Sequence, residues 1–100
     1  MLTLPLIACG GQGIISVMAN ALPRQFSEMT RAALAGDLAR ARQLLFGLLP
    51  LNPLLYEEGN PVGVKAALAL QGVCEPPCAY PWYRPARDSR RALSRCCKIT

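Results

Sequence analysis

The spacing of apolar residues predicts a helix over residues 23–35. Apolar side chains recur there at intervals of three to four, as on the buried face of an amphipathic helix. Pro23 suits the first turn of this helix and Gly36 supplies its end. The predicted buried residues are Phe26, Met29, Ala33 and Leu34.

A second helix is predicted to begin at once, with Asp37 as its cap, and to run to about Tyr56. Pro50 should kink this helix because proline has no backbone N–H to donate. Its apolar stripe comprises Leu38, Ala41, Leu45, Leu48 and Leu55.

A third helix has a clear start signal, with Asn60 as cap and Pro61 at the first helical position, and it runs to Gly72. Because it consists almost entirely of Ala, Leu and Val, we expect it to be buried against its neighbours. Lys65 interrupts this composition, and we expect its long side chain to reach solvent from a packed face.

The first part of the chain has a different pattern. Residues 2–8 form a short apolar run with Pro5 inside it, which we interpret as the remains of a helix. The β-branched run over residues 14–17 has no polar alternation, which is typical of a strand buried on both faces of a parallel sheet. Since one strand has no partner, the chain is predicted to be mostly helical with little or no sheet.

Composition and charge divide the chain near Val73. The chain has 100 residues, of which 52% are hydrophobic, a composition typical of a small globular domain. The net charge is +5, but it is concentrated in a tail that also holds four of the five cysteines and the only Trp. A nucleic-acid surface would collect basic residues from several segments, so nucleic-acid binding is not expected.

The sequence offers no membrane attachment. No apolar stretch approaches the roughly 18 residues that a spanning helix needs. Leu6 to Cys9 resembles a lipoprotein cleavage site, but no basic residue precedes it and the preceding segment is too short for a signal peptide. We therefore expect a cytoplasmic protein without a membrane partner.

The glycines at positions 10, 11 and 13 raise the possibility of a phosphate-binding loop. In such loops the glycines follow a strand and open a helix, whose N-terminus faces the phosphates. Here they precede the predicted strand, and no Gly-Lys-Ser/Thr motif follows. We interpret these glycines instead as residues that let the chain turn sharply where its surroundings are crowded.

The cysteines do not form a recognisable metal site. Cys74 and Cys78 are four apart, Cys96 and Cys97 are adjacent, and the chain has no histidine. Structural zinc sites prefer two CxxC-like pairs, and an odd cysteine count without an export signal argues against a disulfide framework. No metal and no cofactor are predicted.

No catalytic set is predicted either. Without histidine, none of the four serines can be paired with the usual base. Glu57 and Glu58 are adjacent and point in different directions, so they are interpreted as a solvated helix end. Lys65 would form a Schiff base only if it were desolvated in a pocket.

Three stretches together resemble one enzyme family. They are TLPLIACGGQGIISVMANALPRQFSEMTRAALAGDLARARQL, then LLPL, then EEGNPVGVKAALALQGV. In this order and spacing they resemble the C-terminal part of the dihydrodipicolinate synthases. These are lysine-dependent class I pyruvate aldolases of lysine and diaminopimelate biosynthesis, related to N-acetylneuraminate lyase. The resemblance covers about residues 2–73.

The resemblance implies a fragment of an α/β fold, the (β/α)₈ barrel. Residues 1–36 would be the end of the barrel, with its last strand and helix, and residues 37–73 a C-terminal helical appendage. The residue matching Ile15 lines the pyruvate pocket of the family through its backbone. Lys65 matches a lysine of the appendage, not the Schiff-base lysine. The parent enzymes are homo-oligomers.

The resemblance also implies that the chemistry lies elsewhere. The family's Schiff-base lysine, relay tyrosines and threonine are on earlier strands, and a closed barrel takes about 250 residues. We therefore expect a truncated remnant that is inactive alone, that binds a pyruvate-class substrate only within the complete enzyme, and that aggregates or needs a partner. The alternatives are one half of a split-chain aldolase and a small helical interaction protein.

The tail, residues 74–100, departs from the family pattern. The family continues with a stretch like Arg-Leu-Pro-aliphatic-x-Pro-Ala-Ser, where this chain has CAYPWYRPAR at residues 78–87. Codons compatible with these residues permit Val-Arg-Leu-Pro-Val-Val-Pro-Ala-Ser-Glu when read one nucleotide earlier. We hypothesise a frameshift between about Cys74 and Pro77, and we expect residues 74–100 to form a disordered or loosely helical tail.

Overall fold

A computed structural model describes residues 1–57, 59–74, 91–92 and 94–95. The chain divides into two compact units, Met1–Leu49 and Pro50–Thr100. The described helices of the first unit are α1 (Thr3–Ala8), α2 (Val17–Ala21), α3 (Pro23–Leu34) and α4 (Leu38–Leu48). Those of the second are α5 (Leu51–Tyr56) and α6 (Val62–Leu70). None of these helices is long and apolar enough to cross a membrane.

The first unit is built around α3 and α4, and its core follows the predicted apolar stripes. Pro23 occupies the first turn of α3, as the sequence predicts. Two predicted core positions are wrong, because Leu34 is 50% exposed and Leu38 is 49% exposed. They are the last residue of α3 and the first of α4, so they flank the connecting turn. The buried positions are Phe26, Met29, Ala33, Ala41, Leu45 and Leu48.

The turn between α3 and α4 is as short as the sequence predicts. Gly36 has a φ of +80° and donates its N–H to the Ala33 carbonyl at 3.1 Å. The Asp37 N–H reaches the Ala32 carbonyl at 2.9 Å, which completes a Schellman motif. Asp37 also caps α4, since its carboxylate accepts the Arg40 N–H at 3.0 Å. One pair of residues therefore ends one helix and begins the next.

Helix α1 confirms the interpretation of residues 2–8 as a short helix. Pro5 lies in its first turn, where backbone N–H groups have no partner within the helix and a proline costs nothing. Ile7 is 8% exposed and clusters with Ala33 of α3 and Ala41 of α4. This contact attaches α1 to the α3–α4 pair.

The β-branched run over residues 14–17 is not paired as a strand. The part of the chain that the structure describes contains no strand, and Val17 begins α2 instead. A strand takes its hydrogen bonds from a neighbour, and no described segment offers an edge to residues 14–16. The prediction of a mostly helical chain with little or no sheet is confirmed for the described residues.

The second unit contains α5 and α6. The single helix expected over residues 37–56 is interrupted, since α4 ends at Leu48 and α5 begins at Leu51, on either side of Pro50. Leu55 is fully buried. A Cβ on Gly63 of α6 would meet the Leu55 carbonyl oxygen and lie 2.7 Å from its Cα, so only glycine permits this approach.

Helix α6 begins one residue later than predicted, at Val62, and Asn60 makes no capping hydrogen bond. Its burial is as expected, with Lys65 exposed on a mostly buried helix. The boundary between the units falls within the predicted appendage, so the division at residues 36 and 73 stays a prediction. Most of the predicted tail, including Cys78 and the stretch at 78–87, lies outside the described residues.

Candidate functional site

The glycine-rich segment ends α1 with a second Schellman motif. Gly10 has a φ of +102°, a conformation that side chains rarely adopt, and it donates its N–H to the Ile7 carbonyl at 2.9 Å. The Gly11 N–H reaches the Leu6 carbonyl, also at 2.9 Å. These two hydrogen bonds satisfy carbonyls at the end of the helix.

Gly11 has a second constraint. A Cβ built on it would lie 2.8 Å from the Leu6 carbonyl oxygen, which is too close for any other residue without a backbone shift. A Cβ built on Gly13 would have no such neighbour within 4 Å. The N–H groups that a phosphate loop would aim at its ligand are used here, at Gly10 and Gly11, to close a helix.

The segment that follows is extended and uncovered. The Ile15 side chain is 103% exposed and Ile14 is 40% exposed. Ser16 has φ −138° and ψ 135°, which are strand-like torsions. Among the described residues, the backbone N–H groups of residues 12–15 donate no hydrogen bond. The backbone that the resemblance assigns to the pyruvate pocket thus has no hydrogen-bond partner among the described residues.

Ser16 fixes the far end of this segment. Its hydroxyl accepts the Met18 N–H at 3.2 Å and caps the five-residue α2. Met18 and Ala21, each 1% exposed, anchor that short helix in the first unit. Residues 12–15 are therefore held at both ends, by Gly11 and by Ser16.

A groove of about 310 Å³ lies beside this segment. Ile14, but not Ile15, lines it. Ser27 and Arg31, four residues apart on α3, contribute polar groups, while the Thr30 hydroxyl already donates to the Phe26 carbonyl at 2.9 Å. This groove was not predicted from the sequence, although the spacing of polar residues beside Pro23 was a signal for it. Its lining is Ile14, Ala19, Pro23, Phe26, Ser27, Thr30 and Arg31.

The other candidate residues are described by their own exposure and contacts. Lys65 is exposed, and its carbonyl accepts the Cys74 thiol at a sulfur–oxygen distance of 3.9 Å. Cys9 and Cys74 are exposed free thiols. In the described part of the chain, no three His, Cys, Asp or Glu residues are grouped to hold a metal ion. Glu58, Cys96 and Cys97 lie outside the described residues.

A family model for the dihydrodipicolinate synthetase family matches residues 1–100. The chain belongs to this family. The family match includes the whole glycine and isoleucine segment described above, and it extends past residue 73, where the sequence resemblance ends.

Individual family members show the same similarity. The 4-hydroxy-tetrahydrodipicolinate synthase of Thermomicrobium roseum is 55% identical over 92 residues, which are 92% of this chain and 30% of that enzyme. The enzyme of the same name from Methanopyrus kandleri is 45% identical over 94 residues, 31% of its length. The chain thus spans between about a quarter and a third of the curated relatives it matches.

Solved structures of the family match the fold. A dihydrodipicolinate synthase from Aquifex aeolicus superposes with a TM-score of 0.89 at 39% identity, covering 98% of this chain and 33% of that chain. These neighbours are (β/α)₈ barrels, and the present chain corresponds to a mostly helical piece of one.

The extent of the alignments bears on the tail. An alignment over 92 of 100 residues must include residues 9–92, so similarity to T. roseum crosses residue 74. Other family members align over only 69 or 74 residues, the lengths expected if similarity ended near the tail. The frameshift stays a prediction, and the coding DNA tests it: if a one-base change near Cys74 does not restore the family stretch, it is wrong.

Proposed function

We propose that these 100 residues supply the C-terminal segment of a pyruvate-dependent aldolase of the dihydrodipicolinate synthase type, and that they catalyse no aldol chemistry by themselves. The complete parent enzyme would be a cytoplasmic homo-oligomer of lysine and diaminopimelate biosynthesis. The observation that carries the proposal is the extent of the match, because the chain covers only 24–34% of the length of the relatives it matches.

The described side chains support inactivity. A Schiff-base lysine works when its amine is desolvated or placed beside another cation. Lys65 is exposed. The only lysine among the described residues therefore lacks the desolvation that a Schiff-base amine needs.

The role proposed for the extended segment is to form one wall of the pyruvate site. Ile15 would contribute its backbone, as the family resemblance implies, and its exposed side chain would be covered by the rest of the barrel. The N–H and C=O groups of residues 12–15 make no hydrogen bond to another described residue. This supports the role, since backbone groups that line a binding site must be available to the ligand.

The experiment is a trapping assay with the purified chain. The chain is incubated with pyruvate and borohydride, and its mass is measured, with the T. roseum enzyme as the positive control. We expect no reduced pyruvate adduct on the chain and no formation of 4-hydroxy-tetrahydrodipicolinate. An adduct on Lys65, absent after Lys65→Arg, would show that the chain is active alone and overturn the proposal.

A further inference from the structure

We propose that Ser16 is a positioning residue, whose hydroxyl holds the peptide group of Ile15 in the orientation in which that backbone lines the pyruvate site. Ser16 does not itself contact the substrate, because it acts through the carbonyl of its neighbour. This inference rests on the proposed function, and it names the side chain that fixes the wall formed by Ile15.

The first observation is that Ser16 joins two kinds of backbone. Its torsions, φ −138° and ψ 135°, are extended, whereas the next residue, Val17, begins α2. The Ser16 hydroxyl accepts the Met18 N–H at 3.2 Å, as the side chain of an N-cap residue does. This hydrogen bond ties the torsions of Ser16 to the first turn of the helix.

The second observation concerns the peptide group between Ile15 and Ser16. A peptide group is planar, so the Ile15 C=O and the Ser16 N–H lie in one rigid plane. The φ torsion of Ser16 sets the direction of this plane relative to α2. The cap that restrains Ser16 therefore also directs the Ile15 carbonyl.

The third observation is that α2 is firmly attached to the first unit. Met18 and Ala21 are buried, and the Leu22 N–H donates to the Met18 carbonyl at 2.8 Å where α2 meets α3. A helix of five residues depends on its cap and its packing, because helix nucleation is unfavourable. Without the Ser16 hydroxyl the packing remains, but the turn that begins at Val17 is released.

The fourth observation is that no other contact among the described residues restrains the Ile15 backbone. The N–H and C=O groups of residues 12–15 make no hydrogen bond to another described residue, and the Ile15 side chain is fully exposed. The restraint on the other side is Gly11, which closes α1. Ser16 is adjacent to Ile15, so its loss should change the orientation of the Ile15 carbonyl most.

The first measurement follows the peptide plane in this chain. The order parameter of the amide at position 16, from nitrogen-15 relaxation, reports the plane that contains the Ile15 carbonyl. We expect about 0.85, typical of rigid backbone, and a fall below about 0.6 in Ser16→Ala. Ser16→Thr keeps a capping hydroxyl and should retain the rigid value.

The second measurement uses a chimera in which these 100 residues replace the matched segment of the T. roseum enzyme within one polypeptide. Loss of a contact that is equally strong in the ground and transition states raises KM and leaves kcat unchanged. We therefore expect Ser16→Ala to raise the KM for pyruvate about five-fold, the factor that corresponds to a lost N-cap. Ser16→Thr should stay within about two-fold of the original KM.

The matched control is Asp37→Ala, which removes the cap of α4 in the same unit. This variant loses a comparable cap, but Asp37 makes no described hydrogen bond to residues 12–16, so the order parameter at position 16 and the KM should not change. Equal effects of the two cap variants, or an unchanged order parameter in Ser16→Ala, would overturn the inference. A lower kcat at constant KM in Ser16→Ala would also overturn it, because less folded enzyme explains that result.

The chimera also separates this inference from the proposed function. An active chimera whose pyruvate KM does not respond to Ser16→Ala would refute the positioning role and leave the proposed function standing. A chimera without activity would refute the proposed function, and a loosened peptide plane in Ser16→Ala would still show that Ser16 orients the Ile15 backbone.

Discussion

The α3–α4 pair and residues 12–16 lie in the same unit, but they differ in backbone hydrogen bonding and in how far their apolar side chains are covered. The helices satisfy their own backbone groups, and their apolar faces cover each other, so that Met29 and Ala41 are 0% exposed. Residues 12–15 leave their N–H groups without a described partner, and Ile15 is fully exposed. Helical hydrogen bonds are local, whereas a strand depends on a neighbour that this part of the chain does not provide.

The largest expected effect comes from the α3–α4 core. Met29→Ala should lower the free energy of unfolding by about 2–5 kcal/mol, because it removes a fully buried side chain and leaves a cavity. Urea unfolding followed by circular dichroism measures the loss. Leu34→Ala, at a half-exposed position on the same helix, should change it by less than about 1 kcal/mol. Equal losses would mean that the α3–α4 contact is not the stabilising core.

The next effect separates two glycines of the same segment. Gly11→Ala should cost about 1–3 kcal/mol, because its Cβ meets the Leu6 carbonyl oxygen and breaks the end of α1. A Cβ at Gly13 contacts nothing, so Gly13→Ala should leave the free energy of unfolding unchanged or raise it by up to about 1 kcal/mol. Unfolding midpoints of the two variants test the difference, and a harmless Gly11→Ala would contradict the Schellman geometry.

A smaller loss is expected where the turn between α3 and α4 is capped. Asp37→Ala removes the carboxylate that accepts the Arg40 N–H and should cost about 1 kcal/mol. Asp37→Asn keeps an accepting oxygen and should recover most of that loss. The helical signal at increasing urea compares the three proteins. If Asn restores nothing, the cap does not stabilise α4.

The smallest effect is expected at the most exposed residue. Ile15→Lys should change the stability of the chain alone by less than about 0.5 kcal/mol, since its side chain makes no buried contact. A large destabilisation of the isolated chain by the same urea measurement would show that Ile15 is packed in solution.

Local signals in the sequence predicted most of the helices. Pro23, Gly36 and Asp37 act within a few residues of themselves, so the bounds of α3 and the start of α4 could be predicted without any knowledge of the fold. The family resemblance was equally accessible, because it depends on the order and spacing of short motifs. Exposure of Leu34 was not predictable from periodicity, since helical spacing does not show where a neighbouring helix ends.

The sequence by itself determined that the chain is helical, where α3 ends and α4 begins, and to which family it belongs. Only the tertiary structure showed that Gly10 and Gly11 close α1 and that Val17 begins a helix. It also showed that the Ile15 side chain is fully exposed. Helix ends are set by nearby side chains and backbone groups, but a strand and the closest backbone approaches are set by segments distant along the chain.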